Sequence, residues 1–213
     1  MTTEKPLAWM LVVWLGLRAA GSLSAQQPFE EFSCTSFPAD LGEVDLIKQY
    51  GNANVKRAPV TGSDDGPQDG TVVFDGTPRK LEIVWWDPQT RSRLAWVRSR
   101  EPNSPWQTAN GISIGMDLLG IERRNGSPFR LRGLRGPEGL GVIRSWGQGR
   151  LRDAGDDGCR LRISLQSSAD QPIDPALYGQ VSRGSDFSSG HPAMQTINPR
   201  VASLWVTHDP VRK

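Results

Sequence analysis

Histidine and cysteine are scarce in this chain, and their scarcity excludes several kinds of site. The 213 residues include two cysteines and two histidines. Because a structural zinc site needs four closely spaced cysteine or histidine ligands, we expect no metal ion. The segment Ser188-Ser-Gly-His191 lacks the Gly-x-Ser-x-Gly elbow of many hydrolases, and no predicted strand precedes it in the required context. We therefore expect no cofactor and no catalytic residues.

Lysine is absent from the middle of the chain, where arginine supplies the positive charge. Between Arg91 and Arg162 there are 14 arginines, no lysine and seven acidic residues. This excess predicts a positively charged face. The chain has no recognisable nucleic-acid-binding module, and we expect no nucleic acid partner.

A long apolar run occurs once, at the N-terminus. Lys5 is followed by the apolar stretch 7–17 and then by the small residues of 19–25. This order is typical of a secretory signal peptide, and the run is shorter than the roughly 20 residues of a membrane span. We predict cleavage that leaves a start between Gly21 and Gln27. An uncleaved N-terminal anchor is the alternative. We expect a periplasmic or secreted protein with no transmembrane span after signal removal.

The two cysteines, Cys34 and Cys159, both follow the predicted signal peptide. An even number of cysteines in an exported chain favours a disulfide, although two buried free thiols are the alternative. A bridge would join the N-terminal segment to a late strand. Closing so long a loop stabilises a fold by about 4 kcal/mol on the chain-entropy account.

Alternating apolar residues between frequent turns predict a β-rich chain. The 23 glycines and 16 prolines supply the turns. One helix is predicted over 37–51, with Asp40 as its cap and Val44 on its buried face, and another runs from Asp117 to a stop at Gly126. Strands are predicted at 54–60, 71–75, 79–86, 93–100, 129–134, 141–146, 159–165 and 201–207.

This order of elements predicts an α+β fold. We expect two halves, each a helix followed by an antiparallel meander, packed together. The predicted organisation is a signal peptide at 1–25, an exported domain at 26–165 with halves 36–104 and 105–165, and a Ser/Pro/Gly-rich tail at 166–213. Residues 201–207 would add a final strand to that tail.

Three short motifs resemble those of known exported proteins. They are Tyr50-Gly-Asn-Ala-Asn-Val55, Trp106-Gln-Thr-Ala-Asn-Gly-Ile-Ser-Ile-Gly115 and Asn125-Gly-Ser-Pro-Phe129. Over about residues 40 to 165 the chain resembles a family of uncharacterised exported bacterial proteins. The segment 112–129 is similar to the helix-to-strand element of BamE/SmpA and β-lactamase-inhibitor-protein modules, with Asp117 where those modules have Ser or Thr. The resemblance implies binding to another protein at the cell envelope and no catalytic residues.

Four arginines are the first candidate binding residues. Arg130 and Arg132 alternate with apolar residues on one predicted strand, and Arg160 and Arg162 do so on another. If the two strands share a sheet, period-two geometry places all four guanidinium groups on one face. Such groups bind phosphate and carboxylate, so an anionic surface or an acidic protein patch would fit. A solvated sheet face is the alternative.

Tryptophans are the second candidate. Trp85 and Trp86 point to opposite faces of one strand, so the chain's tryptophans cannot all lie in one core. We predict Trp86 and Trp96 as apolar anchors for a partner. The alternative is that the helices cover one face of the sheet and the tail covers the other.

Two acidic loops are weaker candidates. Asp64, Asp65 and Asp69 lie in one glycine-rich loop, and Asp153, Asp156 and Asp157 lie in another. Neither has the spacing of an EF-hand, and three carboxylates are too few ligands for calcium. We expect plain loops.

The sequence thus predicts an exported, non-catalytic binding or accessory protein of the bacterial cell envelope. Its partner would be an envelope protein or an anionic surface. An exported hydrolase with a dispersed active site, for example one using Glu82 and Glu122, is the alternative. A purely structural accessory protein is a further one.

Overall fold

The computed structural model describes residues 29–62, 66–135, 140–152, 158–167, 174–182 and 185–210. The predicted signal peptide at 1–25 lies outside this part of the chain. The fold is α+β and β-rich, with a large antiparallel sheet and four helices. The predicted fold class is confirmed at this level.

Nine strands form the large sheet. In the order β10-β7-β8-β9-β11-β5-β4-β3-β2, each pairs antiparallel with its neighbour. A separate pair, β1 and β6, is parallel. The strands are β1 (Glu30–Glu31), β2 (Val55–Thr61), β3 (Pro67–Val73), β4 (Leu81–Asp87), β5 (Ser92–Ser99), β6 (Trp106–Gln107), β7 (Arg130–Arg135), β8 (Leu140–Ser145), β9 (Cys159–Gln166), β10 (Asp186–Ser188) and β11 (Arg200–His208).

All four helices contribute to one hydrophobic core on one face of this sheet. They are α1 (Glu43–Tyr50), α2 (Leu118–Asn125), α3 (Pro175–Val181) and α4 (Pro192–Ile197). Their buried residues Leu46, Ile121, Val181 and Met194 belong to the same cluster as the sheet residue Leu204. We call this side of the sheet the core face and the other side the outer face. Among the described residues, no helix packs on the outer face.

The first helix differs from the prediction. Helix α1 begins at Glu43, with Gly42 in the cap position, rather than after Asp40. Val44, predicted to be buried, is 62% exposed, while Glu43 is buried. The reason is a polar network: the Glu43 carboxylate accepts hydrogen bonds from Arg57 Nε at 3.1 Å and Thr71 Oγ1 at 3.0 Å. These bonds fix the face of the helix that turns inward.

The second helix has the predicted ends. Helix α2 is capped by Asp117, whose Oδ1 accepts a hydrogen bond from Gly120 N. It ends at Gly126, which has φ of 78° and adopts the left-handed conformation. Both predicted boundary residues are therefore confirmed, because Asp117 supplies the capping hydrogen bond and Gly126 the left-handed backbone angle.

The predicted disulfide is present. Cys34 and Cys159 form a bridge across 125 residues of sequence, with their Cα atoms 6.2 Å apart. Near it, His208 Nε2 hydrogen-bonds Phe37 O at 2.8 Å. These contacts fasten the N-terminal segment to β9 and β11 in the sheet.

The C-terminal segment contributes more structure than the predicted tail. Strand β11 lies in the interior of the sheet, between β5 and β9, and Leu204 and Val206 on it are fully buried. Helices α3 and α4 of this segment pack on the core face. They therefore do not cover the outer face, as the tail would have to do if the tryptophans were buried on both sides of the sheet. No helix in the described ranges has the length and apolar character needed to cross a membrane.

Candidate functional site

Side chains of neighbouring strands line up in rows across the outer face. The strand register aligns Glu82 with Arg98, then Trp205, then Arg162. The next row contains Val84, Trp96, Thr207 and Arg160. On the other side, a row of Ser203, Ser164, Val142, Arg132 and Asp186 reaches the edge of the sheet. Aromatic and charged groups therefore share one surface.

Trp96, Arg98 and Trp205 form the densest cluster on this surface. The two indole rings lie 5.1 Å apart, tilted by 51°. The Arg98 guanidinium lies 4.6 Å from the ring centre of Trp205 and 5.6 Å from that of Trp96. Trp205 Nε1 donates a hydrogen bond to Ser203 Oγ at 2.8 Å, which fixes its ring orientation. We call these three residues the tryptophan–arginine cluster.

A buried carboxylate holds Arg98 in place. Glu82 Oε2 accepts a hydrogen bond from Arg98 Nε at 2.7 Å, and Arg100 Nη2 lies 3.1 Å from Glu82 Oε1. Arg98 Nη2 also donates to Thr61 O. Burial lowers the pKa of Arg98, and the Glu82 charge opposes that shift. The cluster is thus an ordered arrangement in which the Arg98 charge is paired with Glu82.

The four predicted arginines lie on the outer face in two pairs. Arg130 and Arg132 are on β7, Arg160 and Arg162 are on β9, and β8 separates them. At about 4.8 Å per strand, the two pairs are about 10 Å apart across the sheet. The register thus places all four on one face without joining them into one patch.

Two of these arginines have acidic neighbours within the chain. Arg160 Nη2 lies 2.8 Å from Asp209 Oδ2, and Arg132 Nε lies 3.9 Å from Asp186 Oδ1. Their positive charge is partly neutralised before any ligand arrives. The outer face is therefore less electropositive than the sequence predicts.

The two predicted tryptophans have different surroundings. Trp86 is 41% exposed near the end of β4, whereas Trp96 is half-buried against Trp205. A register shift between Val84 and Trp85 interrupts β4 just before Trp86. The structure therefore pairs Trp96 with Trp205 and not with Trp86.

The three motifs that resemble those of exported proteins contain residues that connect separate segments of the fold. Asn125 is fully buried. Its Nδ2 donates to Ser127 O at 2.8 Å and Trp146 O at 2.9 Å, and its Oδ1 accepts from Leu151 N. Asn125 therefore joins the end of α2 to two later segments, which is a structural role.

The other two motifs contain similar structural contacts. Asn54 Nδ2 donates to Tyr50 O, and the Tyr50 ring packs 5.0 Å from Phe74. In the 106–115 motif, Thr108 Oγ1 accepts a hydrogen bond from Ile112 N and closes a tight loop. These contacts give residues of both motifs a structural role.

The residues considered for catalysis do not form a catalytic arrangement. Ser189 is fully buried, and its hydroxyl donates to Glu122 while accepting from Phe129 N. His191 Nδ1 instead accepts from Ala193 N and caps α4. Glu122 lies on a core-face helix, while Glu82 lies on the outer face, so the structure does not bring those two carboxylates together.

The acidic loops lie mostly outside the described residues, which exclude Asp64, Asp65 and the triplet of Asp153, Asp156 and Asp157. The remaining member, Asp69, forms an ion pair with Arg91 at 2.8 Å. Within the described ranges, no group of three His, Cys, Asp or Glu residues is arranged to hold a metal ion.

The sequence did not identify Arg98 and Trp205 as site residues. The Trp96-x-Arg98 spacing on one predicted strand was a signal that both side chains share a face. Trp205 lies 107 residues further along, and only the strand order brings it beside Arg98. Comparisons of this chain with protein-family models, curated proteins and solved structures find no match.

Proposed function

We propose that this protein is an exported, non-catalytic binding or accessory protein of the bacterial cell envelope, and that its outer face binds a partner protein. The Cys34–Cys159 disulfide supports an oxidising compartment, the periplasm or the exterior. The N-terminal signal-like segment and the resemblance to envelope protein-binding modules support the same assignment.

The tryptophan–arginine cluster is the observation that carries this proposal. Tryptophan and arginine are the residues most enriched where protein interfaces concentrate their binding energy. Here two half-buried tryptophans, ordered by contact with the buried Arg98, lie on a sheet face that no described helix covers. Because the cluster is pre-ordered, a partner would lose little side-chain entropy on binding it.

The predicted arginines would form the rim of this interface. Arg160 and Arg162 flank the cluster on β9, while Arg130 and Arg132 extend the surface toward the sheet edge. Exposed rim charges contribute mainly to the rate and selectivity of association. An acidic patch on the partner would complement them, with Trp86 as an outlying apolar contact.

We also propose that the fold combines two helix-plus-meander halves. The first comprises α1 with β2, β3, β4 and β5. The second comprises α2 with β7, β8 and β9, and β11, which lies beyond the predicted half 105–165, completes it. The final strands β5 and β11 pair antiparallel at the junction. That pairing is the arrangement expected of two halves related by a two-fold axis, and the tryptophan–arginine cluster lies across it.

Site-specific photo-crosslinking in the envelope of a bacterial host tests the proposal. A photoreactive residue replacing Arg162 should form a crosslink to one protein, because this position adjoins Trp205. The same residue replacing Val44, which is 62% exposed on α1, is the matched control. The Arg162 crosslink should vanish in a Trp96→Ala/Trp205→Ala variant and persist in Trp86→Ala.

Two results would contradict the proposal. One is the same set of crosslinked bands from the Arg162 and Val44 positions. The other is a crosslink that persists in the double variant. Because the double variant removes packed rings, Trp205→Phe should retain folding and lose most of the crosslink, and its melting curve provides the folding control.

A further inference from the structure

A shallow, open groove lies beside α2, away from the tryptophan–arginine cluster. Its lining includes four arginines from three separate segments: Arg123 and Arg124 from α2, Arg150 from the loop after β8, and Arg200 from the start of β11. Asp117 is the one acidic residue in this lining. We call this feature the α2 groove.

Neighbouring backbone groups hold these arginines at the groove. Arg150 Nη2 donates to Arg123 O at 3.1 Å, and its side chain crosses Gly126. Arg124 packs on Gly111, where an added Cβ would lie 2.8 Å from Arg124 Nη1. Arg200 Nη1 reaches Gly115 O at 3.3 Å. These contacts use only some of the donors of each guanidinium, since each carries five N–H groups.

The positive charge in the α2 groove is largely unpaired. Asp117 lies 4.0 Å from Arg123 and is already occupied by hydrogen bonds from Gly120 N and Asn198 Nδ2. Within the described part of the chain, no carboxylate lies within ion-pair distance of Arg124, Arg150 or Arg200. Like charges gathered in one groove repel each other, and an anion would relieve that repulsion.

Helix electrostatics explains only part of this arrangement. Arg123, Arg124 and Arg150 lie at the C-terminal end of α2, where cations are favourable to the helix dipole. Arg200 lies beside Asp117 at the opposite end, where a cation is unfavourable. Arg200 also favours the ionised form of Asp117 and bonds Gly115 O, so the case for an anionic ligand rests on the gathering of four arginines around one carboxylate.

We propose that the α2 groove binds a phosphate-bearing ligand, either a phosphomonoester or a diphosphate group. Arginine forks match phosphate oxygens in pairs. A phosphomonoester carries close to two negative charges at neutral pH, whereas a carboxylate carries one, so phosphate better balances three unpaired guanidiniums. Half-buried Ile114 and Met116 in the same lining would contact an apolar part of the ligand.

Calorimetric titration of the purified chain with inorganic pyrophosphate tests the proposal. The groove variant is Arg124→Gln/Arg150→Gln/Arg200→Gln, and the matched control is Arg130→Gln/Arg132→Gln/Arg160→Gln, which removes the same charge from the outer face. The groove variant should lose about 100-fold in affinity, because it removes several charge-assisted hydrogen bonds. The control should change by less than about twofold.

Two further arms identify the source of the phosphate. Phosphatidylcholine vesicles containing phosphatidic acid should bind more tightly than pyrophosphate if the ligand is a lipid, and more weakly if it is a soluble phosphate ester. Either order supports the proposal when the groove variant abolishes both. A triple Arg→Lys variant keeps the charge, and we expect an intermediate loss because lysine lacks the guanidinium fork.

Three outcomes would overturn the proposal. They are no binding of pyrophosphate or vesicles to the unmodified chain, equal losses in the groove variant and its control, and binding of an acidic peptide without binding of phosphate. Melting curves check that both triple variants fold. All six substituted positions are exposed or half-buried, so we expect unchanged melting. Because the outer face is unaltered in the groove variant, this result is independent of the crosslinking experiment.

Discussion

The outer face of the sheet and the α2 groove are both rich in arginine, yet their charges have different surroundings. On the outer face, Arg98 and Arg100 share Glu82, Arg132 lies near Asp186, and Arg160 pairs with Asp209. In the groove, most guanidinium groups have no carboxylate partner among the described residues. A count of arginines along the sequence does not distinguish these situations. This difference is why we propose protein binding at the first surface and anion binding at the second.

Removing the disulfide should have the largest effect on the stability of the fold, and it should affect both surfaces alike. Replacing Cys34 and Cys159 by Ser opens a loop of 125 residues and should lower the free energy of unfolding by about 4 kcal/mol. Urea unfolding with and without reductant measures this. Below the melting temperature, both binding activities should persist together. Loss of only one of them would show that the disulfide orders that surface locally.

Replacing one arginine on each surface should lower the stability of the fold by different amounts. Arg98→Met leaves the buried Glu82 with weaker partners and should lower the free energy of unfolding by about 3 kcal/mol. Arg124→Met in the groove should change it by less than about 0.5 kcal/mol. Urea unfolding of both variants gives the comparison. Adding Glu82→Gln to Arg98→Met should recover part of the lost stability. Equal losses of stability in Arg98→Met and Arg124→Met would contradict the difference between the two surfaces.

Salt should weaken binding at the two surfaces unequally. Replacing Arg130, Arg132, Arg160 and Arg162 by Ser should leave melting nearly unchanged and reduce association with the envelope, though less than the double tryptophan variant does. Because rim charges are screened at high ionic strength, moderate salt should mimic this loss at the outer face. Pyrophosphate binding in the groove should fall far more steeply with salt. Similar salt slopes would contradict the division of roles.

A change at Asp117 should have the smallest effect, and the most specific one. Burial raises its pKa, but hydrogen bonds from Gly120 N and Asn198, together with Arg123 and Arg200, more than compensate and leave the pKa below its ordinary value. Its ionised form therefore stabilises the fold at neutral pH. This contribution is complete above the ordinary pKa of about 3.9 and is lost as the pH falls through the lowered pKa.

The variant Asp117→Asn tests this point in two ways. Asparagine also caps helices, so α2 should persist. The stability difference between the original chain and the variant should be greatest near neutral pH and shrink below about pH 4. Pyrophosphate should bind the variant more tightly, because the one groove carboxylate is gone. A pH-independent difference, or weaker pyrophosphate binding, would contradict this assignment.

Local features of the fold could be predicted where one residue decides the structure. Asp117 and Gly126 end α2 through a side-chain hydrogen bond and a left-handed backbone angle, and both follow from residue type. The face of α1 could not be predicted from apolar spacing, because Glu43 turns inward to bond Arg57 and Thr71 from distant strands. A buried charge therefore overrode the hydrophobic pattern.

The candidate site could be predicted only in part, for a similar reason. Period-two spacing assigned Arg130 and Arg132 to one strand face, and the register places Arg132 in a row with Ser164 of β9. The tryptophan–arginine cluster depends on β11 lying between β5 and β9, and the α2 groove depends on Arg200 reaching Gly115. Such long-range pairings are not encoded in local spacing.

The most direct test of this account maps where the anion binds. Amide chemical-shift mapping by NMR during titration with pyrophosphate reports every contact surface at once. We predict that the perturbed amides cluster at 113–124, around Arg150 and around Arg200, with little change on β7 and β9. Perturbations centred on Arg130, Arg132, Arg160 and Arg162 would instead show that the paired arginines of the outer face bind the anion, and would contradict the account.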